Sequence, residues 1–357
     1  MLRPGRYGYR SAVTARDARR APGKARPGIQ DVARLAGVSG QTVSRYVNGH
    51  PYVSDTLARR IEDAIRTLGY RPNDAAVALR VGRSATIGVV SLETALYGPT
   101  SALLAVEQAA RRADFSVSIV TVPSVDGRLL IAAVERLERQ GVAGILVTAA
   151  SSTATPAALR DASFGVPVVL TERVSGCDFP SVGLDGGGAA RTATAYLLEL
   201  GHRKVWHVSG PPLWQAAHDR KAGWRAVLTS ADASGRSIAG DWSAASGYAA
   251  GLRIADMGGV TAVFAANDQM AFGVMSALAD RGIKVPDDIS VVGIDDIPEA
   301  AYFRPSLTTV QQDFRRLGEQ GLQYLLSRVG ASPEPEPPLI TTSLVIRQSA
   351  APAVDRL

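Results

Sequence analysis

From residue 85 onward, short runs rich in β-branched residues alternate with segments whose apolar residues fall at helical spacing, and this alternation excludes most folds. The strand-like runs are 85–91, 115–122, 142–148, 166–171, 205–209, 262–266 and 289–294. Between them, segments such as 103–112 and 129–139 place apolar residues three and four apart. Strands joined through helices pair in parallel, and the helices cover both faces of the sheet. Roughly 260 residues of this pattern exceed one ordinary core, which predicts two lobes.

The first quarter of the chain reads differently. Residues 1–27 hold eight Arg or Lys against Asp17 alone, and 28–83 hold eight Arg against five acids. The whole chain carries only +6, so the remaining three quarters is net acidic. A polyanion partner is therefore expected at the N-terminal end and not on the α/β region. Residues 1–27 are expected to be a disordered basic extension. They lack the apolar core of a secretion signal, and no apolar run approaches the ~18 residues of a membrane span. A cytoplasmic protein is expected, and the single Cys177 can form no internal disulfide.

Residues 29–48 read IQDVARLAGVSGQTVSRYVN. Ile29, Val32, Ala33 and Ala36 line one face of a first helix, and Gly37 permits a sharp turn. Ser39 is placed to cap a second helix, which turns Val43 inward and Gln41, Thr42 and Arg45 outward before Asn48-Gly49 ends it. Ser54 is expected to cap a third helix with Leu57, Ile61, Ile65 and Leu68 at core spacing. This is a helix-turn-helix pattern. Gln41 suits an adenine edge and Arg45 the O6 and N7 of guanine, whereas Thr42, Arg59, Arg60 and Arg66 suit phosphates or solvent.

Several motifs resemble the lactose and galactose repressor family: Asp31-Val32-Ala33, Ala36-Gly37-Val38-Ser39, Thr42-Val43-Ser44-Arg45, Val47-Asn48 and Leu68-Gly69-Tyr70-Arg71-Pro72-Asn73. The resemblance runs from about Ile29 to Gln348. It implies that Gly40, Gln41 and Arg45 occupy base-reading positions, with Thr42, Ser44 and Asn48 completing the DNA-facing set. Gly40 departs from the pattern, because it has no side chain to read with. The resemblance also implies a hinge that becomes helical on operator DNA, with Leu79 as an apolar wedge in the minor groove and Ala76 beside it. Read without the resemblance, that stretch is a short linker with one apolar residue at the joint.

The resemblance continues through Gly240-Asp241-Trp242-Ser243, Ala266-Asn267-Asp268-Gln269, Val291-Val292-Gly293-Ile294-Asp295-Asp296 and Gln311-Gln312-Asp313-Phe314. It implies a two-lobed, periplasmic-binding-protein-like domain with crossings near residues 200 and 312. An effector pocket would then be built from Asp185, Arg220, Trp242, Asn267, Asp295 and Gln312. The residue types suit a sugar. Carboxylate, amide and guanidinium groups bind vicinal hydroxyls, Trp242 offers a flat apolar face, and strand ends are where parallel sheets hold ligands.

The expected organisation is therefore an extension at 1–27, an all-α helix-turn-helix DNA-binding domain at 28–72, a hinge at 73–84 and an α/β effector and dimerisation domain at 85–348. Within the last, the first lobe takes about 85–200 and 312–330, the second about 201–311 and 339–348, and 349–357 is a tail. The expected partners are near-palindromic double-stranded DNA, a sugar-like effector and a second copy of the chain. A homodimer is expected, because the resemblance implies that tetramers add a C-terminal leucine heptad helix, and Gln348 to Leu357 is too short for one. No cofactor, metal or membrane is expected, and the four His show no metal-ligand spacing. Three other readings compete. A secreted sugar-binding protein would share the large domain, but it would need a signal peptide and would not carry the helix-turn-helix. A purine co-repressor could also use an aromatic, an Arg and an Asp, whereas an enzyme would need motifs that are missing, since Gly183 to Gly188 lacks the GxGxxG spacing.

Overall fold

The structure, a computed structural model, describes residues 27–47, 53–70, 84–148, 154–160, 162–330 and 334–353. The chain divides into two compact units, one reaching Arg80 and one beginning at Val81.

The first unit contains three helices, α1 (Ile29–Ala36), α2 (Gly40–Val47) and α3 (Asp55–Leu68). Their shared core is Val32, Ala33, Ala36, Val43, Ile61 and Ala64. Gly37 closes α1 at φ +63°, a left-handed turn that side chains resist. The Ser39 hydroxyl accepts the Thr42 N–H at 3.1 Å, so the expected cap is present. Ser54 differs: it occupies the position before α3, but its side chain makes no capping bond.

The second unit opens with β1 (Thr86–Leu92), α4 (Tyr97–Arg112), β2 (Ser116–Val122), α5 (Gly127–Arg139), β3 (Gly144–Val147), α6 (Ala154–Leu159) and β4 (Val168–Leu170). These strands form a parallel sheet in the order β2-β1-β3-β4. Alternation sorts its side chains. Ile87, Val89 and Leu146 meet α4 on one face, whereas Val90, Ile145 and Val147 meet α5 on the other.

Next come α7 (Gly186–Glu199), β5 (Val205–Ser209), α8 (Gln215–Ser230), β6 (Ser237–Ala239), α9 (Ala244–Met257), β7 (Ala262–Ala265), α10 (Asp268–Asp280), β8 (Ser290–Asp295), β9 (Thr308–Gln311), α11 (Phe314–Val329) and β10 (Ser343–Val345). The second sheet runs β10-β9-β8-β7-β5-β6, with only β10 antiparallel to its neighbour. Helices α7 and α8 cover one face through Ala189, Ala193, Leu197 and Trp224, and α9 and α10 cover the other through Ile254, Met270, Val274 and Leu278.

Two expected boundaries move. Helix α7 packs on the second sheet, so the first crossing lies between β4 and α7 and not near residue 200. Its small-residue face, Ala189, Ala190 and Ala193, fits against Phe264, Val292 and Ile294 of that sheet. The return crossing does lie at residues 312–313, since α11 packs on α4, β3 and β4. The expected tail also begins too early. Ser349 is fully buried, the Val291 N–H donates to its carbonyl at 2.7 Å, and the Ala353 N–H donates to Leu200. Among the described residues no helix is long and apolar enough to cross a membrane.

Candidate functional site

In the first unit, Gln41 and Arg45 lie on the exposed face of α2, opposite the buried Val43, and neither has a partner among the described residues. Thr42 is held at the start of the helix, its hydroxyl 2.9 Å from that of Ser39. Ser44 is half-buried on the same helix. The place a side chain would take at Gly40 is filled by Gln30, whose amide nitrogen lies 2.9 Å from where a Cβ would stand. Gln30, on the exposed side of α1, therefore stands beside the start of α2, a neighbour that sequence spacing gave no sign of. Asn48, Ala76 and Leu79 lie outside the described residues.

The second unit holds a cavity of about 750 Å³ walled by both lobes. Asp185, Arg220, Trp242, Asn267, Asp295 and Gln312 all line it. Asp295 ends β8, and Asn267 and Trp242 follow the ends of β7 and β6, so the carboxyl ends of parallel strands converge here.

These residues form a network. The Gln312 Nε2 donates to Asp295 Oδ1 at 2.5 Å, and an Arg220 guanidinium nitrogen lies 3.7 Å from the same oxygen. Another Arg220 nitrogen donates to the Ala266 carbonyl, and the guanidinium carbon sits 5.3 Å from the centre of the Trp242 ring. Trp214 meets Trp242 edge to face at 5.9 Å. Gly210 makes that placement possible, since a Cβ there would lie 2.2 Å from the indole. Asn267 is spent on structure: it caps α10 through the Met270 N–H at 2.9 Å and donates to the Trp242 carbonyl at 3.0 Å. Asp185 likewise caps α7 through the Gly188 N–H at 2.6 Å and lies 3.5 Å from Arg191.

The backbone is strained where the network is densest. Trp242 (φ +74°), Asp295 (φ +126°) and Asp296 (φ +57°) adopt positive φ without being glycine. Asp268 holds the second of these turns. Its carboxylate accepts the Ile297 N–H at 3.0 Å and the Thr309 hydroxyl at 2.5 Å. Arg347 holds it from the other side, donating to Asp296 at 2.7 Å and to the Leu307 carbonyl at 2.8 Å.

Burial raises the acids. It pushes Asp295 up to about 6 although Arg220 and Gln312 oppose the shift. Asp268 is raised well above the usual range by burial and then by the charge of Asp295. Glu172, which lines the cavity just past β4, is pushed up to about 7 by burial and by Asp219. Glu172 and Asp219 are the cavity acids that sequence reading missed. Glu172 follows a strand-like run as Asp295 does, so the same strand-end logic applies to it, whereas no local signal marks Asp219.

An exposed helix on a three-helix unit and a cavity that combines charged groups with an aromatic wall fit the class of DNA-binding transcription regulators with a ligand-binding domain. The chain belongs to the lacI family. Residues 28–73 match the family described as bacterial regulatory proteins, lacI family, and residues 194–350 match the periplasmic binding protein-like domain. The chain is 34% identical over 325 residues to the lactose operon repressor of Escherichia coli (strain K12), covering 90% of each. It is 32% identical over 311 residues to the HTH-type transcriptional repressor PurR of Vibrio cholerae serotype O1 (strain M66-2), covering 84% of this chain and 91% of that protein. Among solved structures it is similar to the lac repressor dimer bound to operator and the anti-inducer ONPF. The TM-score is 0.82 at 32% identity, covering 91% of this chain and 99% of that one.

Proposed function

We propose that this regulator is a cytoplasmic repressor whose homodimer leaves a near-palindromic operator when a sugar enters the cavity. The carrying observation is the convergence of hydroxyl-binding groups, Asp295, Arg220 and Gln312, with the aromatic side chains Trp242 and Trp214 on one cavity. Charge-assisted bonds from Asp295 and Arg220 would fix ring hydroxyls, and the indole would take the C–H side of the ring. Similarity to both a lactose operon repressor and PurR leaves the effector to be decided by this chemistry.

Gln41 and Arg45 read bases in this account, with Gly40, Thr42, Ser44 and Asn48 along the same contact. Ala76 and Leu79 form the hinge that wedges the minor groove. The two-fold symmetry of a dimer demands two half-sites. On the second unit, Leu104, Tyr302 and Phe303 are exposed apolar side chains, and Phe303 stacks on Phe272 at 3.7 Å, a surface suited to a second copy.

Calorimetry with galactosides, glucosides and purines, run beside operator binding, tests the proposal. A sugar that binds and weakens operator affinity ~5–150-fold, a coupling of about 1–3 kcal/mol, is expected. If a purine binds and strengthens operator affinity while no sugar binds, the pocket is a co-repressor site.

A further inference from the structure

Four carboxylates and three guanidinium groups line the cavity: Glu172, Asp185, Asp219 and Asp295 against Arg173, Arg191 and Arg220. The arginines are already engaged. Arg191 lies 3.5 Å from Asp185, and Arg220 lies 3.7 Å from Asp295. Arg173 is drawn away to Glu336 at 3.2 Å and to the Pro337 carbonyl at 2.8 Å.

Glu172 and Asp219 are left over. Glu172 accepts the Ala216 backbone N–H at the start of α8 and has no ion-pair partner among the described residues. Asp219 accepts the Gln215 amide at 2.7 Å, and the His218 ring stands 3.7 Å away and is 61% exposed. Burial and then the charge of Asp219 raise Glu172, with Arg220 opposing; Asp219 is itself raised by burial, with Gln215, His218 and Arg220 opposing. Among the described residues no three His, Cys, Asp or Glu side chains come together as a metal site. On the neighbouring wall, the Arg220 Nε and the Trp242 Nε1 are buried donors with no partner. Beside them, Trp214 and Trp242 give two aromatic rings, which attract a cation as well as a sugar face.

A ligand that suits this cavity supplies a positive donor to the two acids that no arginine pairs. We propose that the effector is an amine-bearing sugar whose ammonium group sits at Glu172 and Asp219 and whose hydroxylated ring lies against Trp242. This inference rests on the sugar reading above and narrows it. A neutral sugar offsets neither acid, whereas an ammonium offsets one of the two charges and can donate to both carboxyl groups.

The test is calorimetry on the full-length protein with pyranoside pairs that differ only in an amine for one hydroxyl, taken through each ring position, with the N-acetyl form of each amine as a neutral control. At least one amine is expected to bind about 10-fold or more tightly than its hydroxyl parent, a difference of about 1.4 kcal/mol, and N-acetylation should erase the gain. The preference should fall to near parity in Glu172→Gln/Asp219→Asn. An ammonium favours ionised Glu172, so its affinity should rise from pH 6 to 7, across the range where Glu172 at about 7 is losing its proton. Neutral sugars that bind as tightly as every amine, or an amine preference untouched by the double substitution, overturn this inference and leave the sugar reading standing. Binding by purines alone overturns both.

Discussion

The two working surfaces of this protein are built on opposite principles. On α2, Gln41 and Arg45 are exposed and, among the described residues, without partners, on a helix that Val43, Tyr46 and Val47 anchor to the core. In the cavity, Arg220, Asp295 and Gln312 are buried and bonded to one another before any ligand arrives. DNA is a large polyanion that supplies its own partners, so its reader can wait in water. A small effector has few groups, and preorganised partners that need no reorganisation give it affinity. The difference makes a prediction about mutation. A reading residue should be removable at the cost of its contact alone, whereas a cavity residue takes the network with it.

The largest expected effect is at Asp295. Asp295→Ala leaves Arg220 as a buried charge without its acid, which typically costs about 3–5 kcal/mol. Ligand binding should be lost and the melting temperature should fall, while operator affinity persists, giving a repressor that no sugar releases. A variant that keeps wild-type ligand affinity would break the proposed site.

Asp268→Ala should come next. It removes the acceptor of the Ile297 N–H and the Thr309 hydroxyl beneath the strained 295–296 turn. The expected loss is about 1–3 kcal/mol of stability, together with weaker ligand binding, because Asp295 is no longer held in its turn. Denaturant titration and calorimetry on the same preparation read both. Unchanged ligand affinity would confine Asp268 to a structural role.

Arg45→Ala should cost about 1–3 kcal/mol of specific operator binding while the melting temperature stays put, since nothing in the fold rests on that side chain. Gel-shift titration at fixed salt, paired with a thermal scan, sharpens the contrast. A drop in stability comparable to that of Asp295→Ala would erase it.

The smallest effect is in pH. Glu172 is raised to about 7 and Asp295 to about 6 by burial, so the folded state holds protons that the unfolded chain releases at lower pH. Stability from these groups is therefore greatest in acid and declines as pH rises from the ordinary carboxylate range through about 6 to 7, after which it levels. Glu172→Gln should flatten part of that decline. Melting curves from pH 5 to 8 on the ligand-free protein check it, and an unchanged slope would remove Glu172 from the account.

Much of the architecture was legible in the residues alone. Periodicity of two and of 3.6 are local properties, and they located the strands that became β1 to β5, β7 and β8. The turn at Gly37 and the cap at Ser39 are also local, because a left-handed φ and a hydroxyl-to-amide bond each depend on neighbours within a few positions. The short strands β6, β9 and β10 went unread because Ser, Thr and Gln break up their apolar residues, whereas the equally short β3, β4 and β7 lie in continuous apolar runs.

What the sequence could determine, then, was the kind of element at each place and the chemistry of residues at strand ends. What only the tertiary structure decided was which elements and side chains meet. Helix α7 joins the second sheet because its alanine face fits Phe264 and Val292, a match of shapes far apart in the chain. Asp268 reaches Thr309 and Ile297, and Arg347 reaches Asp296, across 29 to 51 positions. The charge imbalance at Glu172 and Asp219 exists only because three arginines nearby are engaged by other partners. Coulomb and desolvation energies depend on distance and burial in space, and a linear order of residues carries neither.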